Sequence, residues 1–144
     1  MLQFGTIKAG IEYQERPGGY AVVIRDGLVA VVKTPGGVFL PGGGAENNES
    51  LAEAAIRETK EETGLIVEIT GKIGMADEFV SSDKYNAHFQ KVCTFFSAEI
   101  TSRIGQWEPD HDLDWTTPAD AVALLTHGSQ KWAVSEHFSL RVVV

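Results

Sequence analysis

Cysteine is almost missing from this chain. Cys93 stands alone among 144 residues, which excludes an internal disulfide framework and any cysteine-rich zinc site. A lone thiol fits a reducing compartment, so a cytoplasmic location is expected. Long apolar runs are also lacking: none approaches the roughly 20 residues that a membrane helix needs. The opening Met1–Gly10 has neither the basic start nor the apolar core of a secretion signal. Basic residues are few, 12 Lys and Arg against 20 Asp and Glu, for a formal net charge of -8. Non-specific nucleic-acid binding needs a basic surface to neutralise phosphates. The expected partners are therefore neither nucleic acid nor membrane.

What remains is ordinary for a globular protein: 43% hydrophobic and 22% charged residues. The length suits one compact domain, expected to span residues 1–144. Tyr20–Arg25 and Leu28–Lys33 are apolar, β-branched runs flanking Asp26-Gly27, a dipeptide that tolerates the positive φ angles of a type I′ turn. A second turn at Thr34–Gly37 and a short strand at Val38–Leu40 follow, then Pro41-Gly42-Gly43-Gly44. Those glycines let backbone approach where a side chain would block it. The spacing predicts a helix from about Ser50 to Thr63, ended by Gly64 at the C′ position. Strand character returns at Val67–Thr70 and at about Gln90–Ile100, beyond a polar loop around Ser81-Ser82-Asp83. Thr117-Pro118 starts a helix through Leu125 that Gly128 is expected to close, and another covers Trp132–Phe138. This order favours an α/β fold, a mixed sheet sandwiched by helices.

The first helix carries three carboxylates, Glu58, Glu61 and Glu62, within "RETKEETG". At about 100° per residue they share one sector about 100° wide. Ala52, Ala55, Ile56, Thr59 and Thr63 fill the adjacent sector, the expected core face. Arg57 flanks the acids, with Glu53 and Glu61 four residues to either side as ion-pair partners. Like charges at these spacings cost about 0.2–0.5 kcal/mol each. Anions in the last turn meet an unfavourable helix dipole worth about 0.3–1 kcal/mol. A divalent cation reverses both penalties, because clustered carboxylate oxygens are what Mg²⁺ accepts.

Gly43, Glu49, Arg57, Glu58, Thr59, Glu61, Glu62, Gly64 and Leu65 together resemble the signature of the Nudix hydrolase family, G-x5-E-x7-R-E-U-x-E-E-x-G-U with U a bulky aliphatic. Eight of the nine positions match at every spacing; the departure is Thr59. Thr59 falls on the core face, so it should affect packing more than chemistry. "FLPGG" before the signature and "EPDHDLDW" after it also look like the family's surroundings.

The resemblance implies an α/β/α sandwich in which the signature forms a loop-helix-loop. It implies hydrolysis of a phosphoanhydride bond in a nucleoside diphosphate linked to another moiety. By match to the motif, Glu58, Glu61 and Glu62 would ligate Mg²⁺ or Mn²⁺, and Arg57 would orient a glutamate by salt bridge. Glu49 would support the cluster, and Gly43 would offer its backbone to metal or phosphate. Glu61, Glu62 or an acid outside the signature would take the proton from water.

Candidates for that outside acid or an extra metal ligand are Glu78, Glu99, Glu108, Asp110 and Asp112, with Asp110 or Glu108 preferred for their position before Trp115. Arg25 and Lys33 on the hairpin are candidate phosphate contacts; His88 and His111 are candidate proton carriers. Phe79, Tyr85 and Trp107 are candidate base-stacking aromatics, while Trp132 and Cys93 look structural. The proline that family members cleaving ADP-ribose commonly carry beyond the signature is absent at Val80-Ser81, and Tyr85 lies slightly too far along to mark a dinucleoside polyphosphate enzyme. The expected substrate is a nucleoside triphosphate or dinucleoside polyphosphate. The alternatives are ADP-ribose or a nucleotide sugar, or a domain that senses a nucleotide without cutting it. The apolar Leu140–Val144 could pair two chains as a homodimer or close the chain's own sheet.

Overall fold

Tyr20–Ile24 and Val29–Val32 are nearly unbroken apolar runs, the pattern of strands covered on both faces. In the computed structural model, which describes residues 1–82, 85–105 and 108–140, they are used in that way. The chain runs β1 (Leu2–Gly5), β2 (Gln14–Arg25), β3 (Leu28–Thr34), β4 (Gly37–Phe39), β5 (Gly42–Gly44) and α1 (Leu51–Thr63). It continues with β6 (Leu65–Ser82), β7 (Ala87–Arg103), β8 (Asp112–Thr116), α2 (Pro118–Leu124) and α3 (Gly128–Phe138). One mixed sheet orders the strands β1-β6-β7-β2-β3-β4, with β5 alongside β2 and β8 alongside β3. β1 lies parallel to β6 and β2 to β7; the other pairs are antiparallel.

The period of two in a strand sorts side chains between two cores. Tyr20, Val22, Val29, Val31, Cys93 and Phe95 meet Ala121, Leu125, Ala133 and Val134 of the α2–α3 side. Ala21, Val23, Ala30 and Ala98 meet Ala55 of α1 with Leu65 and Val67. The result is the expected α/β/α sandwich. The hairpin turn is also as expected: Asp26 and Gly27 have φ of 51° and 75°, and Arg25 pairs with Leu28.

Several boundaries differ from the sequence expectation. β2 starts at Gln14, well before Tyr20, because Gln14–Arg16 find their ladder partners in Phe89–Lys91 of β7. β6 and β7 are 18 and 17 residues long, and three register shifts along β6 scramble the alternation that would have revealed them. β1, β5 and β8 are additions to the strands expected from the sequence. Gly128 does not close α2, which ends at Leu124; it opens α3 instead. The reason is a cap from far away. The Ser129 N–H donates to Glu78 Oε1 at 3.0 Å, so a carboxylate on β6 satisfies the start of α3. Asp83, Trp107 and the terminal 141–144 stretch lie outside the described residues.

Candidate active site

Local chemistry fixes where α1 begins and ends, and hence which way its glutamates point. The Glu53 N–H donates to Ser50 Oγ at 3.0 Å, while the Ser50 N–H donates to Glu53 Oε1 at 3.1 Å. This reciprocal pair is a capping box. At the other end Gly64 turns into the left-handed region, φ 76°, and its N–H reaches the Lys60 carbonyl at 2.9 Å. Thr59, the departure from the signature, is fully buried as expected. Its hydroxyl donates to the Ala55 carbonyl at 2.6 Å, and Thr63 does the same to Thr59. A threonine thus serves where an aliphatic residue is usual, with its one polar group satisfied inside the helix.

Two close approaches seat this helix. α1 rests on β2 at Gly19, where a Cβ would overlap the Leu51 carbonyl oxygen and come within 3.2 Å of the Ala55 nitrogen. β5 pairs with the same stretch of β2, Gly18 with Gly44 and Gly19 with Gly43. A Cβ on Gly43 would lie 2.8 Å from the Glu58 carboxyl carbon, so only glycine lets that carboxylate lie on the loop backbone. The Gly42 N–H donates to Glu62 Oε1 at 3.0 Å. Glu58 and Glu62 therefore face the glycine loop, while Glu61 beside them stays open to solvent. Glu62 is only 7% exposed, the Glu58 side chain 22% and Glu61 43%.

Arg57 gathers the acids. Its Nε and Nη2 hold Glu49 at 2.8 and 3.0 Å, Nη2 also reaches the Gly44 carbonyl at 3.0 Å, and Nη1 reaches Glu58 at 2.8 Å. Longer contacts from Nη1 go to Glu61 at 3.3 Å and Glu46 at 3.6 Å. The two-pronged bond to Glu49 is the strong kind, charge-assisted and geometrically fixed. It pulls the Glu49 carboxyl down to about 2, helped by the Glu46 N–H. Glu62 moves the opposite way, up to about 8: burial disfavours its charge, the Gly42 N–H opposes this, and the charges of Glu58, Glu108 and Glu61 add to the rise. Glu58 is also raised, by burial first, against the pull of Arg57.

These shifts predict how the metal-free protein responds to pH. The raised Glu62 stabilises the fold below its unfolded value of 4.5, and that contribution is lost as pH rises through about 8. Glu49 acts in reverse, but its loss comes only near pH 2. In a chelator the thermal midpoint should therefore fall between pH 5 and pH 8. Glu62→Gln should flatten that slope and raise the midpoint at pH 8. Parallel slopes for parent and variant would contradict the burial assignment.

The outside acids separate clearly. The Glu108 N–H donates to the Glu61 carbonyl at 2.8 Å, and the Glu108 charge is felt by both Glu58 and Glu62. Asp110, preferred on sequence as a metal ligand, is exposed at φ 63° and makes no side-chain bond among the described residues. The backbone turn at Pro109-Asp110 delivers Glu108 to the helix in its place. Glu78 is buried as the α3 cap, Glu99 is exposed, and Asp112 faces a different cleft. His111 sits 3.6 Å from Glu108; His88 bonds Ser81 away from the glutamates. Phe79 is buried against Tyr13, and Tyr85 is 71% exposed.

The donor set suits a hard divalent cation: carboxylate oxygens on one helical face, two with raised proton affinity, beside the Gly43 backbone. Among the described residues no three acids or imidazoles yet converge as a closed cage. Glu58 and Glu61 are drawn towards Arg57, and one Glu62 oxygen is held by Gly42. Cation binding would compete with Arg57 for the first two.

A cleft of about 570 Å³ opens from this cluster. Glu62 and Gly42–Gly44 line one part, Tyr20, Phe39 and Leu40 form an apolar wall, and Arg16 and Lys91 are its cations. Arg25 and Lys33, expected on sequence to reach phosphates, are elsewhere. Arg25 stacks 4.5 Å over the Trp115 ring in a second cleft, and Lys33 pairs with Asp114 at 2.9 Å. Arg16 was missed because "QERPGG" has no apolar alternation to mark it as strand.

The family model for the NUDIX domain matches residues 15–138, from early β2 to the end of α3. This chain belongs to the Nudix family. It is 41% identical over 70 residues to Nudix hydrolase 4 of Arabidopsis thaliana, a stretch that is 49% of this chain and 33% of that protein. The chain thus spans about a third of that curated relative. Among solved structures, a MutT NUDIX hydrolase from Burkholderia pseudomallei superposes with a TM-score of 0.69 at 27% identity, covering 85% of this chain and 98% of that one. A NUDIX hydrolase from Nitrosomonas europaea shares the fold, with a TM-score of 0.73 at 18% identity over 88% and 90% of the two chains. Among the described residues of this Nudix chain, no helix is long and apolar enough to cross a membrane.

Proposed function

We propose that this chain is a metal-dependent diphosphohydrolase acting as a single domain. It adds water across a phosphoanhydride bond of a nucleoside diphosphate linked to another moiety, most readily a nucleoside triphosphate or dinucleoside polyphosphate. The observation that carries the reading is the half-buried face of Glu58, Glu61 and Glu62, held against the glycine loop by Arg57 and Glu49. So arranged, it is costly without a cation and useful with one.

Glu58, Glu61 and Glu62 would hold Mg²⁺ or Mn²⁺, with Glu108 in place of Asp110 as the further acid and Gly43 offering backbone. When bound, such a cation offsets the phosphate charge and lowers the pKa of attached water. Arg57, tied to Glu49 and Gly44, sets the distance between helix and loop and so positions the carboxylates. One of Glu61, Glu62 and Glu108 accepts the proton as the water oxygen bonds to phosphorus and the bridging P–O bond breaks. Tyr20, Phe39 and Leu40 offer an apolar wall to the nucleoside.

The purified protein, given Mg²⁺ or Mn²⁺, should release phosphate, pyrophosphate or a nucleoside monophosphate from at least one member of a panel. The panel holds nucleoside triphosphates, dinucleoside polyphosphates, ADP-ribose and nucleotide sugars, and turnover should stop in a chelator. Tight binding without turnover across that panel would mark a nucleotide sensor instead.

A further inference from the structure

Arg16 and Lys91 are in register on neighbouring parallel strands, β2 and β7, and both side chains line the cleft that Glu62 and Gly42–Gly44 also line. Like charges directly opposite one another destabilise a sheet. In a chain with net charge -8, acids to relieve them are abundant, yet neither cation forms an ion pair among the described residues. The acid in register with Lys91 on its other side, Glu78, has its Oε1 committed to the Ser129 N–H. Glu15, beside Arg16, points to the other face of the strand.

Arg16 is also braced: its guanidinium lies 4.5 Å over the ring of Phe89, another cleft residue. Phe89 is two residues before Lys91 and therefore on the same face of β7. Stacking holds the planar fork in place and leaves its edge N–H groups for an acceptor.

We propose that Arg16 and Lys91 form an anion subsite that binds a phosphate of the substrate remote from the one held at the glutamates. Resting on the hydrolase reading for the identity of the substrate, this names its class: an anhydride with a further ionised phosphate beyond the scissile bond, rather than one ending in a neutral sugar. The two cations match a dianionic terminal phosphate, and the apolar wall of Tyr20 and Leu40 is shared with the rest of the cleft. The subsite makes no demand on the metal, because its donors are side chains on the strands.

Binding of inorganic tripolyphosphate in a chelator, measured by calorimetry, tests it without reference to hydrolysis. The parent should bind, and the double variant Arg16→Met, Lys91→Met should bind about tenfold more weakly or worse, a loss of about 1.4 kcal/mol. The charge-preserving swap Arg16→Lys, Lys91→Arg should bind more tightly than the Met variant and more weakly than the parent, because the charge is kept and the stacked fork is not, which separates lost charge from lost fold. With a nucleotide that is turned over, the Met variant should raise KM for a substrate with a terminal phosphate about tenfold. For one ending in a neutral sugar KM should hardly move. Equal tripolyphosphate affinity in parent and Met variant, or no binding by the parent, would overturn the subsite. Loss of tripolyphosphate binding in the Met variant, with no nucleotide cleaved by the parent, would leave the subsite standing and remove the hydrolase reading.

Discussion

Glu61→Gln should lower kcat by about 10²- to 10⁴-fold, the range for losing a positioned proton-transfer group, with loss of cation affinity adding to it. The choice of Glu61 makes the test clean. Its side chain is 43% exposed, and its contacts to Arg57, at 3.3 and 3.4 Å, are the longest that Arg57 makes with the helix acids. The fold does not lean on it, so the unfolding free energy should stay within about 0.5 kcal/mol of the parent. The amide keeps the shape and removes one anion from the face. Steady-state turnover at saturating Mg²⁺, with a denaturation curve for each protein, checks both halves. Turnover within threefold of the parent would remove Glu61 from the machinery and leave Glu62 and Glu108 to carry it.

Gly19→Ala should destabilise the fold by about 3 kcal/mol or more, at or above the upper end for overpacking. The added methyl would meet backbone, the Leu51 carbonyl oxygen and the Ala55 nitrogen, so no side chain can swing aside to admit it. α1 must lift from β2. Because β5 pairs with β2 through the same residue, lifting the helix also parts Glu58 from Gly43 and Glu62 from the Gly42 N–H. Stability and activity should therefore fall together. Urea denaturation, with turnover at a temperature where the variant remains folded, measures the two separately. An unchanged midpoint would mean that the helix does not sit on Gly19 as described.

These two residues differ in how they can be found. Glu61 stands out in the sequence, because three acids on one helical sector carry a local electrostatic cost that a bound cation would offset. Gly19 does not: it sits in "PGGY", just before the first apolar run, and its role depends on a helix more than thirty residues away.

The same division runs through the molecule. Features governed by neighbours in sequence were determined by sequence. Asp26-Gly27 sets the hairpin because both residues accept positive φ, and Gly64 ends α1 by the same freedom. Thr59 falls on the buried side because helical periodicity leaves it nowhere else. Features that need two distant segments were decided only by tertiary structure. Glu78 caps α3 across the fold, which turned an expected helix end at Gly128 into a helix start. Glu108, and not Asp110, meets the acidic face, because a backbone bond to the Glu61 carbonyl decides which acid of that loop is delivered. Arg25 and Lys33 looked like phosphate contacts by charge alone, whereas parallel pairing of β2 with β7 puts Arg16 and Lys91 in the cleft. Local propensity and periodicity act over a turn or two of chain. Which charges share a cleft is set by strand order and register, and these are settled by packing over the whole sheet.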